Sequence, residues 1–314
     1  MIPTLDDIIE RCHVVALPMA VRFRGVDTRE ALLIDGPAGW GEFSPFVEYG
    51  PKESASWLRA GLEAAFEGLP PADGNVEVNG TVPAVAPGEV EAVLERFPGV
   101  RTFKIKVAEK GQSLDDDLAR VNEVRRLRPD ATLRVDANRG WSVAEAVEAA
   151  RVLGELEYIE QPCATVGELA EVRVRVDTPI AADESIRRAD DPYLVAQLRA
   201  ADVAVVKVAP LGGVRRLLRI GAELGLDLTV ASALDTAVGV GAGLVAAKLA
   251  SSRAAGLATQ RLFVEDVAEP FELVDGKMAI RPVIPDPQRV QALRARPERR
   301  EWWIRRLSET FAHL

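Results

Sequence analysis

Between residues 85 and 260 the chain repeats one unit, a short apolar strand followed by an amphipathic helix. The strand candidates read "TFKIKV", "TLRVDAN", "LEYIEQP", "PIAADES", "DVAVVKVAP" and "DLTVAS". Between them lie helical patterns such as "LDDDLARVNEVRRLRP", "SVAEAVEAARVLGEL" and "GGVRRLLRIGAELGL". Alternation of this length predicts a parallel sheet covered by helices. An α/β fold closed as an eight-fold (β/α) barrel is the economical solution, with a first strand near "TVPAV" and a last near "GLATQ".

Polar residues keep step with this unit. Asp136 to Glu160 is 24 residues, Glu160 to Asp183 is 23, Asp183 to Lys207 is 24 and Lys207 to Ser232 is 25, while Lys106 precedes Asp136 by 30. Each falls at the C-terminal end of a strand, the face where a barrel gathers its active site. In "FKIKV" the residues Phe103, Ile105 and Val107 share one side and Lys104 and Lys106 the other. A solvated edge strand would show the same alternation. In a barrel, however, the apolar side meets the helices, so both lysines point inward, a costly placement unless the interior uses the charge.

Lysine is scarce here: of 39 lysines and arginines only seven are lysine, and Lys104, Lys106 and Lys207 all lie in strand contexts. Arginine does not give up its proton in a protein, whereas a buried lysine does. The two histidines, His13 and His313, sit near the ends, so acid–base chemistry falls to other residues. A net charge of −9 without any basic run argues against a nucleic-acid partner. No apolar run is long enough to span a membrane. Two cysteines, Cys12 and Cys163, suggest neither a disulfide framework nor a zinc site, and with no secretory leader pattern they predict a cytoplasmic protein.

Residues 1–84 break the rhythm. Strand patterns "VVALPMAVRF" and "REALLID", the turn "DGPAG" and the helical run "PKESASWLRAGLEAAFEGL" predict an α+β unit beside a barrel spanning 85–270. The segment 271–314 ends in the helix "REWWIRRLSETF", whose tryptophans could dock on the N-terminal unit, although an amphipathic helix explains them equally well. No pattern fixes an oligomeric state.

Three carboxylates, Asp136, Glu160 and Asp183, converging at one barrel mouth repel one another unless something neutralises them. Helix caps or arginine partners would serve for one of them. For three at consecutive strand ends beside lysines, a hard divalent cation is the better answer, and oxygen ligands favour magnesium over zinc, with manganese as a substitute. Lys106 and Lys207 flank that site. A lysine is neutral at pH 7 only rarely from its ordinary pKa of about 10.4. Burial and neighbouring positive charge bring such a group toward roughly 7–8, where it serves as a base. The arrangement suits removal of a proton next to a carboxylate, with the charge of the enediolate neutralised by the cation.

The motifs "KIK", "RVDAN", "IEQP", "AADES" and "KVAPLGG" resemble the enolase superfamily, in the paired-lysine subgroup typified by muconate lactonizing enzyme. "GWGEFSPF" resembles that family's capping-domain segment, and the match covers nearly the whole chain. The resemblance implies a barrel of this type with an α+β capping domain completed by the C-terminal segment. It implies Asp136, Glu160 and Asp183 as magnesium ligands, Lys106 as the lysine that takes the α-proton, and Lys207 as the opposite lysine. Lys104 and Asn138 match positions near the reacting carboxylate. Further motifs, "EQPC", "DESIR", "SALDTAVG" and "GLAT", resemble the o-succinylbenzoate synthases of actinobacterial type, which dehydrate a succinyl-hydroxycyclohexadiene carboxylate in menaquinone biosynthesis. Ser232 and Ala233, just before a helix start, are then placed for the tail of a small anionic substrate, because such a start offers N–H groups to a carboxylate. The glycines of "GVGAG" fit that use or close packing alone. Asp235 reads as a helix-start residue. Arg22, Arg24 or Arg29 in "MAVRFRGVDTRE" would belong to a mobile capping loop.

Three other activities stay in view. A dipeptide epimerase of the superfamily usually carries Asp-x-Asp at the eighth strand, which "GLATQRLFVEDV" lacks. An N-succinylamino acid racemase needs the same metal, lysines and pocket. A Schiff-base aldolase would use a low-pKa lysine as nucleophile and has no need of three carboxylates.

Overall fold

The computed structural model describes residues 3–23, 26–187 and 191–314, so Arg24 lies outside the described residues, as does the side chain of Arg22. Strands β1 (Cys12–Phe23), β2 (Val26–Gly36) and β3 (Gly39–Phe43) form an antiparallel sheet. After the short β4 (Asn75–Glu77) comes a parallel sheet in strict sequence order. Its strands are β5 (Asn79–Val82), β6 (Thr102–Lys106), β7 (Thr132–Asp136), β8 (Tyr158–Glu160), β9 (Ile180–Ala182), β10 (Val203–Val206) and β11 (Asp227–Val230). A final strand, β12 (Lys277–Ala279), pairs with β4.

Two residues close the ring. Ala255 bridges Val78 and Gly256 bridges Ala231, both in parallel, so this segment stands where an eighth strand would. The expected first and last strands therefore begin earlier and are shorter. Pro83 cannot donate to a ladder and ends β5 at Val82. Past Gly256 the chain winds into a 3₁₀ turn, Ala258–Leu262, instead of continuing extended.

Phe103, Ile105 and Val107 are buried against the surrounding helices. Lys104 is buried as well, on the side facing the ring interior, where Tyr158, Ala181, Val203, Val205 and Ala231 form an apolar plug. The lysine face is the inner one. Helix starts are fixed locally: Ser113 with Asp116, Ser142 with Glu145 and Thr165 with Glu168 each form a reciprocal capping box.

A second apolar cluster joins the first sheet to helix Pro51–Leu62 and to the chain's last helix, Pro297–Phe311. Gly41 is required here, because a Cβ on it would stand 2.0 Å from the Gly61 carbonyl oxygen. Trp303 is buried and donates from Nε1 to Glu30 at 3.0 Å. Arg306 donates to the carbonyls of Phe46 and Tyr49 at 2.7 and 2.8 Å. The tryptophan-bearing helix meets the N-terminal unit through Trp303. Earlier in the same segment, Phe271 and Met278 pack with the barrel cluster.

Candidate active site

Strand register brings the site together. Lys106 pairs with Asp136 and Asp136 with Glu160 across β6, β7 and β8. Asp183 follows β9 and Lys207 follows β10 by one residue. Lys207, expected at the end of its strand, is the extended N-cap of a short helix, Val208–Leu211. The mouth is strained in a regular way. Ala108, Asn138, Gln161 and Leu234 all have positive φ, 57°, 44°, 40° and 61°, just past a strand end. Each such residue costs about 1–3 kcal/mol unless its surroundings hold it, and such residues gather at functional sites.

The charges interlock. Lys106 Nζ lies 2.5 Å from Asp136 Oδ2 and 2.5 Å from Asn138 Oδ1. Lys104 Nζ donates to both oxygens of Glu160 at 2.8 and 2.9 Å and stands 3.2 Å from Asp136. Lys207 Nζ reaches both Asp183 oxygens at 2.6 Å. Arg187, which the sequence pattern does not single out, donates to Asp183 at 2.9 Å, to Glu184 at 2.7 Å and to the Tyr49 hydroxyl at 2.7 Å. Gln161, equally inconspicuous in the sequence, accepts from the N–H groups of Asp183 and Ser185 at 3.0 and 3.1 Å, and so ties together the loops after β8 and β9.

Burial alone would raise Asp136, but Lys106 and Lys104 outweigh it and hold the carboxyl below its usual range. Asp183 is likewise lowered, with Lys207 and Arg187 overcoming burial. Burial pushes Glu160 the other way, to about 7, and the charge of Asp136 adds to the shift. Burial would lower Lys104, yet Glu160 and Asp136 prevail and keep it firmly charged. Lys207 is pushed down by burial; Asp183 resists and Arg187 assists.

Lys104, Lys106, Asp136, Asn138, Asp183 and Lys207 line one pocket, whose far wall is Ser232, Ala233 and Leu234. The capping unit contributes Phe46 and Trp57. Glu160 lies beneath, wholly buried under Lys104. Among the described residues, no group of three His, Cys, Asp or Glu side chains stands in a metal-holding arrangement. The three carboxylates are each engaged by a lysine, so taking up a cation requires exchanging those ion pairs. Their chemistry fits such an exchange: all are buried oxygen donors on adjacent strands, and the upward push on Glu160 by Asp136 is the repulsion a cation relieves.

The helix start after the far wall differs from expectation. The Thr236 and Gly239 N–H groups donate to Glu42 at 3.1 and 3.0 Å, and that of Ala237 to Asp266 at 3.0 Å. Those donors are committed to the protein's own carboxylates. Ser232 and Ala233 still line the pocket, with Asp235 Oδ2 accepting from the Ser232 hydroxyl and the Ala233 N–H, both at 3.0 Å. Arg29 is buried, with Nε donating to the Leu234 carbonyl at 3.0 Å.

Comparison with known proteins supplies the family. Residues 14–65 match the family described as enolase N-terminal domain-like, and residues 89–295 the one described as enolase C-terminal domain-like. The chain belongs to the enolase superfamily. Members bind a divalent metal. Within the superfamily, the chain is 60% identical to the o-succinylbenzoate synthase of Mycolicibacterium smegmatis, over 98% of this chain and 97% of that one. It is 58% identical to the o-succinylbenzoate synthase of Mycobacterium leprae, over 100% of this chain and 95% of that one. Muconate lactonizing enzyme from Pseudomonas fluorescens, solved with muconolactone, shares the fold at 22% identity and a TM-score of 0.74, covering 91% of this chain and 98% of that one.

Proposed function

We propose that this enzyme is a hydro-lyase that forms o-succinylbenzoate by syn dehydration of 2-succinyl-6-hydroxy-2,4-cyclohexadiene-1-carboxylate, in menaquinone biosynthesis. Two lysines face one pocket, one on β6 and one just past β10, with buried carboxylates between them, and this arrangement supports the assignment most. The full-length likeness to two o-succinylbenzoate synthases supports the choice of substrate.

Asp136, Glu160 and Asp183 would hold magnesium, or manganese in its place. When bound, the cation supplies positive charge against the oxygens of the enediolate. Lys106, as the free amine, takes the proton α to the ring carboxylate. The C–O bond to the leaving hydroxyl then breaks, and the Lys106 ammonium returns its proton to the departing hydroxide, releasing water from the same face. Lys207 keeps its charge on the opposite side and lowers the energy of the enediolate. Asn138 orients Lys106 through its Oδ1, and Lys104 holds Glu160 in place from within the ring. Ser232 and Ala233 receive the succinyl tail through the pocket wall. A Schiff-base aldolase fits less well, since it has no use for three buried carboxylates at the same mouth. The same reading divides the chain into 1–84, 85–270 and 271–314, although β5 (Asn79–Val82), before the second of these stretches, belongs to the barrel sheet.

Among the described residues no helix is long and apolar enough to cross a membrane, and the enzyme acts on a small molecule. The test is turnover of the cyclohexadiene by the purified protein with magnesium, followed by loss of its ultraviolet band. Turnover should vanish after chelation and dialysis and return with the metal. Racemisation of N-succinylamino acids is assayed beside it; a far higher kcat/KM for racemisation, or no dehydration, overturns the assignment.

A further inference from the structure

The pocket's far wall is gripped from behind by the capping sheet. Leu234 carries its positive φ of 61° with its carbonyl bound to Arg29 Nε at 3.0 Å. The Ala233 carbonyl accepts from Arg29 Nη2 at 3.4 Å. Just beyond the wall, Thr236 donates to Glu42 from its N–H at 3.1 Å and from its hydroxyl at 2.7 Å. Ser44 links the two cap residues, with its hydroxyl 2.6 Å from Glu42 and its carbonyl accepting from Arg29. Arg29 also lies over the Phe46 ring, 4.6 Å from its centroid, and Phe46 lines the pocket. Arg29 and Glu42 do not line the pocket themselves.

The fit is specific to glycine at one point. A Cβ on Gly239 would stand 2.7 Å from Asp235 Cβ and 2.9 Å from Glu42 Oε2, so it would press both on the carboxylate and on the residue that holds Ser232 and Ala233. A second cap carboxylate makes a parallel contact elsewhere. Glu63 accepts from the Arg215 N–H at 3.1 Å, and a Cβ on Gly213 would stand 1.6 Å from Glu63 Oε2. Gly213 and Arg215 do not line the pocket, so the Glu63 contact joins cap to barrel without touching the wall.

We propose that Arg29 and Glu42 are positioning residues for the wall Ser232–Leu234, and that they set the enzyme's grip on the part of the substrate remote from the reacting carboxylate. This rests on the dehydration assigned above. Backbone held in a left-handed turn relaxes once its outside hydrogen bonds are lost. The wall would then move, while the lysines and carboxylates, held by their own strands, stay in place.

The experiment compares Glu42→Gln, Gly239→Ala and Arg29→Lys with Glu63→Gln as the matched control, all in the full chain with magnesium. Measured are kcat and KM for dehydration and the dissociation constants of o-succinylbenzoate and of benzoate, which lacks the tail. In the first three variants, KM and the o-succinylbenzoate constant should rise about tenfold, and kcat and the benzoate constant should change by less than about threefold. Glu63→Gln should leave the ratio of the two dissociation constants unchanged. Equal weakening of both ligands in the wall variants, or an unchanged ratio in them, overturns the proposal. Where Glu42→Gln fails to fold, Gly239→Ala and Arg29→Lys decide the question by the same ratio. An inactive wild type overturns the functional reading and this inference together; an active wild type with unmoved ratios overturns the inference alone.

Discussion

Two sets of buried charges sit near the barrel's catalytic face, and they are answered in different ways. At the mouth, Asp136, Glu160 and Asp183 are met by lysine ammoniums on long, jointed stems. At the cap joint, Glu42 and Glu63 are met by backbone N–H groups at two helix starts, joined by the hydroxyls of Ser44 and Thr236 and by the Arg215 guanidinium. A lysine swings and exchanges protons; a helix N–H does neither. The first kind of partner suits charges that must rearrange around a reactant, and the second suits a geometry that must not change.

The largest effect expected from this contrast is kinetic. Lys106→Arg keeps the charge but not the base, so kcat should fall roughly 10²–10⁴-fold with circular dichroism and Tm close to wild type. Near-normal turnover in that variant would move proton transfer off Lys106 and erase the distinction.

The joint should report itself through pH and stability. Burial, aided by Asp235, raises the Glu42 carboxyl from 4.5 to about 7. The folded protein therefore binds a proton there that the unfolded chain has released between those two values. Stability from this group is present on the acid side and is lost as pH rises toward 7. Glu42→Gln removes that dependence. The Tm of wild type relative to the variant should fall by about a few degrees between pH 5 and 8; parallel profiles would contradict the buried-acid picture.

Smaller still, Glu63→Gln should cost about 1–3 kcal/mol in urea unfolding and leave kcat/KM within about twofold. A large kinetic defect would show that the two joints are not distinct in role. Ser142→Ala, which breaks only a surface capping box, should cost about 1 kcal/mol and set the baseline for a helix start that touches neither site.

The barrel and its mouth are legible in the sequence because each functional group ends a strand, and strands announce themselves by period. Lys104, Lys106, Asp136, Glu160, Asp183 and Lys207 can be placed by spacing alone. The joint is not legible in the same way. Glu42 and Glu63 meet partners 194 and 152 residues away, and no local pattern encodes such a distance. Their signals are the glycines: Gly213 in "APLGG" and Gly239 in "AVGVG", each vacant of a side chain where a cap carboxylate arrives. The helix start after "SALD" does hold carboxylates, as its pattern predicts, but the protein supplies Glu42 and Asp266 itself. Arg187 and Gln161 are hard to see because "DESIR" and "IEQP" draw attention to their acids.

The docking of Trp303 on the first sheet also imposes an order on synthesis. The strands that hold Glu30 and Phe43 leave the ribosome first, while the helix Pro297–Phe311 that covers them emerges roughly 250 residues later. At about 5–20 residues per second, that is a wait of roughly 10–50 s. During this time the barrel can form beneath a sheet whose outer apolar face has no cover. The nascent cap is thus the stretch most exposed to misassociation, and shortening the chain from its C-terminal end should cost soluble yield well before it reaches any residue of the pocket.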